Sequence, residues 1–286
     1  MNRPADLFFV GLGGLLLAAM TARLAVSSRR AFRRPNYRGS VLPLVLGTVA
    51  GGATLLAAGA AAVALAAGRS AEARRLAVML GAVLLTLLAG RYDDLRAGPG
   101  RGLLGHVGEL FRGRVTSGIV KLAALIVAGA LVALGTGGRA GRVVLGIPLM
   151  AGSANAWNLL DVAPGRALKY FLPAVVALVA VRWRSEYAFL AVAALGAGVA
   201  AFPIDLRERA MLGDAGSNVL GLVVGIGLFE ALPAWGLAVA LAAVVALHAV
   251  AETVTLSRVI QASPPLRWFD GLGRVRHPED EPSASG

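Results

Sequence analysis

Long apolar blocks, separated by short polar and basic segments, set the rhythm of this 286-residue chain. Nine blocks fall at roughly 6–26, 41–67, 75–91, 117–136, 143–160, 167–182, 187–204, 215–231 and 234–257. A helix needs about 20 mainly apolar residues to cross the hydrocarbon core of a bilayer. The pattern therefore predicts an all-α, polytopic integral membrane protein with about nine transmembrane helices. The second block is long and interrupted by glycine, and the sixth is short and holds Pro173. "MNRPADLFFVGLGGLLLAAM" reads as a first spanning helix rather than a signal peptide. Its apolar stretch outlasts an h-region, and "TARLAVSSRR" follows where a cleavage site would stand. One transmembrane domain is expected over 1–265. Residues 266–286 should form an interfacial segment and then a polar tail, "HPEDEPSASG", expected to be disordered.

Composition agrees. Hydrophobic residues make up 57% and charged residues 15%, with a mean hydropathy of +0.72; soluble domains run at about 25% charged. No cysteine is present, which removes disulfides and thiolate metal sites. The formal charge of +12 would suggest nucleic acid in a soluble protein. Here the basic residues lie between apolar blocks and suit an anionic leaflet instead, so no nucleic-acid partner is expected. Of the 28 Lys and Arg, twenty fall in the loops after spans one, three, five and seven and in the C-terminal segment. The positive-inside rule puts that side in the cytoplasm, with the N-terminus outside and the C-terminus inside.

The same parity collects acids. Asp93 and Asp94 close span three, Asp161 closes span five, and Asp214 opens span eight, all at cytoplasmic helix ends. Each alone has a plain explanation. Asp214 in "GDAGS" can cap span eight, and Asp94 can pair with Arg91 or Arg96. Together they point to a functional cluster, because acids at membrane depth usually face a polar cavity or a partner. A hard cation such as Mg²⁺, held by one or two carboxylates plus phosphate oxygens, suits such a site, as does a group of Arg partners. Three histidines and no cysteine argue against zinc.

"YDDLR" at 92–96, "NAWNLLDV" at 155–162 and "MLGDAGSNVLG" at 211–221, in this order, resemble the polyprenyl-phosphate N-acetylhexosamine-1-phosphate transferases. That superfamily includes phospho-MurNAc-pentapeptide translocases and undecaprenyl-phosphate GlcNAc-1-phosphate transferases. "RPNYRGSVLP" and "AETVTLSRVIQ" extend the resemblance over about residues 30–265. It implies Mg²⁺-dependent transfer of a sugar 1-phosphate from a UDP-activated amino sugar to a polyprenyl phosphate, with UMP released. Mn²⁺ could replace Mg²⁺. The place implied is the cytoplasmic face of a bacterial plasma membrane, in cell-envelope (for example peptidoglycan) synthesis. Carried over, Asp93, Asp94 and Asp214 would be catalytic, and Asp94, Asp161 and Asp214 would meet the metal. Lys121, Asn155 and Asn158 would contact substrate. Lys121 reads equally well as a snorkelling interface lysine.

The sequence departs from the family pattern in three places. Arg96 stands where the paired-acid motif usually has Lys. "VAPGRALKYF" replaces an acidic, Gly-rich segment, so Arg166 and Lys169 would read a different anionic substrate. No histidine-rich loop or tenth span follows the last block; "PPLRWFDGLGR" reads as an interfacial segment anchored by Trp268 and Phe269. His106, on a short amphipathic helix after span three, could reach phosphate. His248 reads as a hydrogen-bonded residue of span nine and His277 as a solvated tail residue. Gly221 and Gly225 form a GxxxG, either a homodimer face or close packing within the chain. The alternative to an enzyme is a non-catalytic relative, acting as a lipid- or protein-binding membrane scaffold. A transporter fits less well, because the acids lie at the membrane edge and not at its middle.

Overall fold

The computed structural model describes residues 3–28, 30–96 and 102–275. The tail expected after residue 275, with His277, lies outside the described residues. The chain is a helical bundle in one layer across the expected membrane. Its helices are α1 (Arg3–Ser27), α2 (Leu46–Ala66), α3 (Ser70–Leu95), α4 (Gly102–Phe111), α5 (Ser117–Gly135), α6 (Ala140–Leu160), α7 (Arg166–Arg182), α8 (Tyr187–Leu206), α9 (Gly213–Ala231), α10 (Ala234–Thr253), α11 (Leu256–Ala262) and α12 (Pro264–Gly271). Among the described residues, eight of these are long and apolar enough to cross a membrane. The expected sixth span is α7, which at 17 residues falls short of that length. Its first residue, Arg166, stands near the carboxylates at one end, while Arg182 pairs with Glu230 of α9 at the other.

The all-α architecture holds, with one short exception. The first residues of the second apolar block are not helical: β2 (Val41–Pro43) pairs with β1 (Arg33–Pro35), just before the block, in an antiparallel hairpin. Asn36 makes the turn. Its Oδ1 accepts from the backbone N–H of Arg38 and of Ser40, both at 2.9 Å, an arrangement Asn favours in turns. Pro35 and Pro43 at the strand ends keep helix from propagating through. Backbone bonds from Met211 N–H to the Pro43 oxygen, and from Leu46 N–H to the Met211 oxygen, tie the hairpin to the loop before α9.

Helix α9 is the hub, buried along most of its length. It packs against α2, α3, α6 and α7. Small residues allow this approach, as is usual where lipid gives no hydrophobic drive between helices. A Cβ on Gly47 of α2 would lie 2.2 Å from the Gly216 nitrogen, and one on Gly90 of α3 would lie 2.5 Å from the Asp214 oxygen. A Cβ on Gly221 would lie 2.3 Å from the Ser153 oxygen of α6, and Gly225 faces Met150 and Ser153. The GxxxG pair is thus occupied by close packing within the chain. These contacts set the ends of α3, α6 and α9 side by side.

Candidate functional site

Asp93 and Asp94 lie inside the last turn of α3, not after it. Helical spacing sends the two side chains to different partners. Asp94, 5% exposed, turns to α9: its Oδ1 accepts from the Asp214 backbone N–H at 2.9 Å and its Oδ2 from the Ala215 N–H at 3.1 Å. The first N–H groups of any helix lack intrahelical partners. Here an acid from a neighbouring helix supplies them, and its charge suits the positive end of the helix dipole. No ion pair joins Asp94 to Arg91 or Arg96, its partners in the plain explanation. Arg91 donates to the Leu44 carbonyl oxygen and Arg96 packs over the Tyr92 ring. Gly213 makes the join possible. Its φ is +65°, and a Cβ there would lie 2.8 Å from Asp94 Oδ1.

Asp93 faces α5. Lys121, one turn into α5 and 8% exposed, places Nζ 2.7 Å from Asp93 Oδ2 and in a short ion pair with Asp214 Oδ2. The lysine is a buried bridge between two acids, not a snorkelling side chain. Asn158 of α6 accepts from Ser217 Oγ at 3.1 Å, and Asn218 Nδ2 donates to the Asp214 carbonyl oxygen at 2.8 Å. Asn155 pairs with His248 instead: Asn155 Nδ2 lies 2.9 Å from Nε2, and His248 Nδ1 lies 2.8 Å from the Val244 oxygen. The two distances fit the Nδ1–H tautomer. His106 Nδ1 lies 2.9 Å from Thr116 Oγ1, and the ring sits against Gly118 at the start of α5.

Asp161 ends α6 and opens the loop 161–165. Burial, then the carboxylates of Asp205, Asp214 and Asp94, push its carboxyl well above the usual range. Asp205 was not among the residues picked out from the sequence. It sits in the last turn of α8, is 5% exposed, and accepts from the Gly165 N–H at 2.8 Å. Gly165 needs its own φ of +70° to present that N–H. Glu208 was also passed over; Asn36 Nδ2 donates to it at 3.0 Å. The parity that selected Asp93, Asp161 and Asp214 also covers these two acids and could have found them.

Arg166 and Lys169 do not join this cluster. Arg166, 2% exposed, holds Asp270 of α12 through Nε at 2.8 Å and Nη2 at 2.9 Å, and donates to Ser257 Oγ at 2.9 Å. Lys169 donates to the Asp270 carbonyl oxygen. The residues expected to read an anionic substrate are thus turned toward the C-terminal segment.

Two cavities flank the acids. One, about 700 Å³, is an apolar groove between α5, α6 and α10; Lys121, His106, Asn155, Asn158 and His248 stand on its wall. The other, about 400 Å³, lies under the hairpin, lined by Tyr37, Asp161, Pro164, Asp205, Glu208 and Met211. Among the described residues, no three His, Cys, Asp or Glu side chains form a ready metal cage. No protein-family model matches this sequence, and no curated protein matches it.

Proposed function

We propose that the chain is a phosphotransferase that moves a sugar 1-phosphate from a UDP-sugar to a polyprenyl phosphate and releases UMP. In this reading the site faces the cytoplasm across a bacterial plasma membrane. One observation carries it: Lys121, bonded to Asp93 and Asp214, stands on the wall of a groove between α5, α6 and α10, while Asp161 opens on a separate cavity that Asp205 and Glu208 also line. A lipid phosphate and a water-soluble nucleotide need two such approaches to one point. An oxygen of the lipid phosphate would attack the sugar-bearing phosphorus, and the bond to the UMP oxygen would break. Such transfers depend on positioning and charge neutralisation more than on covalent help from the protein. Lys121 would bring positive charge to the lipid phosphate. Asp93 and Asp214 hold its ammonium in place, and Asp94 fixes Asp214 through the backbone of α9.

The acids fit a hard divalent cation. Asp161 has acids on its flanks, and the cluster's buried lysine is committed to Asp93 and Asp214. A hard cation asks for one or two carboxylates and takes its other oxygens from substrate and water. Asp161 and Asp214 would hold it. When bound, Mg²⁺, or Mn²⁺ in its place, supplies positive charge to the diphosphate.

The test uses the purified chain, polyprenyl phosphate, Mg²⁺ and a panel of UDP-sugars, scored for UMP release. Activity with one donor, lowered by about 100-fold or more in Asp214→Asn and Lys121→Met, is expected. Activity that survives those changes removes the site assignment. A scaffold reading has one observation on its side: capping α9 gives Asp94 a structural use without chemistry. No turnover with any donor, and lipid binding unchanged in the same variants, would favour it.

A further inference from the structure

After α10 the chain folds back as α11 and α12 and closes on the start of α7. Asp270, 1% exposed, is the centre of that contact. Its carboxylate takes two bonds from Arg166 and one from Arg274 Nη2 at 2.6 Å, and its carbonyl oxygen takes one from Lys169. Two arginines share one carboxylate, with Lys169 on the backbone oxygen beside it. Burial holds the Arg274 guanidinium below its usual range; Asp270 works against that shift and Arg166 adds to it.

Beyond Arg274, between the hairpin turn and α12, lies a cavity of about 720 Å³. Tyr37, Arg38, Arg267, Trp268, Leu272 and Arg274 stand on its wall, and no acid does among the described residues that line it. Arg38 bonds Tyr37 Oη at 2.6 Å and lies 3.7 Å from Glu208. Among the described residues, the wall carries Arg38, Arg267 and Arg274, with Glu208 and Asp270 in the layer behind it. Arginine forks match phosphate oxygens two at a time. Large apolar side chains rim the same place: Trp268 is 68% exposed and Leu272 41%. Cationic heads beside exposed apolar groups on a short helix mark a membrane-interface surface.

We propose that this cavity binds a phosphate group carried by an anionic membrane lipid, with Arg267 and Arg274 on the phosphate and Trp268 and Leu272 against the acyl region. The site shares Tyr37 with the cavity beside Asp161 but has none of the clustered acids on its wall, and the proposal does not depend on the transferase reading.

Native mass spectrometry of the full chain in neutral detergent tests this. Short-chain phosphatidylglycerol, short-chain phosphatidylcholine and inorganic phosphate are titrated separately. Phosphatidylglycerol should bind at least about fivefold more tightly than phosphatidylcholine, and Arg267→Gln should lose about fivefold or more. Arg267 is exposed, so this change leaves the fold intact. Arg258→Gln, an exposed change on α11 away from the cavity, should leave binding unaltered. Equal binding of the two lipids, or equal losses in the two variants, overturns the proposal. Inorganic phosphate that binds as tightly as phosphatidylglycerol, with the same dependence on Arg267, overturns the lipid assignment in favour of a free phosphate.

Discussion

Asp94→Asn separates a structural from a chemical use of the acid at the end of α3. Asp94 is 5% exposed and accepts two backbone N–H groups, at 2.9 and 3.1 Å. Hydrogen bonds to a charged group contribute about 1.5–3 kcal/mol each. A carboxylate at a helix N-terminus adds roughly 0.3–1 kcal/mol from the dipole. Asparagine keeps the volume and one acceptor oxygen. Its NH₂ group would face a backbone N–H, so one bond is lost outright and the other loses its charge. Removing a buried acid near Asp161 and Asp214 offsets part of that. The net loss should be about 2–3 kcal/mol. It is read as the shift in unfolding free energy in detergent micelles, with no substrate present. Asp94→Ala leaves both N–H groups unpaired and should lose more. A change below about 0.5 kcal/mol in Asp94→Asn refutes the capping argument. Lost UMP release at unchanged stability would place Asp94 in the chemistry instead.

Gly90→Ala should lower stability by about 1–3 kcal/mol, because its Cβ meets backbone atoms of α9 that cannot swing aside. Gly52→Ala, with nothing within 4 Å, should be neutral or stabilising in the same thermal unfolding. Asp161 holds its proton more tightly when folded, so its contribution to stability is full below its unfolded value of 3.8 and is lost as pH rises toward the folded value. Asp161→Asn should therefore melt higher than the parent chain at pH 7, with the difference gone by about pH 4. Asp270→Asn strips Arg166 and Arg274 of their shared carboxylate and should cost about 3–5 kcal/mol, read by chemical unfolding. A Glu at the same position, keeping the charge, should recover part of it.

The spans were legible because hydrocarbon imposes length and polarity on every crossing helix. The convergence of Asp93, Asp161 and Asp214 was legible for the same reason: parity alone puts those helix ends on one side. Parity says nothing about which partner an acid meets. Asp94, expected to be a catalytic and metal-meeting acid with an arginine pair as the plain alternative, caps a helix 120 residues away in sequence, a contact set by the glycines that bring α3 and α9 together. The hairpin was hidden because "VLPLVLG" continues an apolar block, and only the Asn36 turn and the flanking prolines mark its limits. The turn of Arg166 away from the acids depends on Asp270, more than 100 residues later, on a segment read only as interfacial.

The two ends of the bundle treat charge differently, and the difference bears on function. Away from the carboxylate cluster, several charges pair off. Arg75 meets Glu186 and Glu230, Arg182 meets Glu230, and Arg3 meets Glu72. Stability alone favours such pairing, because an unpaired charge at membrane depth loses its hydration. At the other end, among the described residues, acids gather around Asp161, while cations gather around Asp270. Only the loop 161–165 separates the two groups. Its far end is clamped on both sides, by Asp205 at Gly165 and by Arg274 at the Pro164 oxygen, 3.1 Å away. Arg166, the residue after that loop, could have neutralised the acids but is drawn to Asp270. A loop that holds opposite charges apart gives up stability that collapse into pairs would recover. That is the expected arrangement where each group is completed by a ligand, a cation on one side and a phosphate on the other.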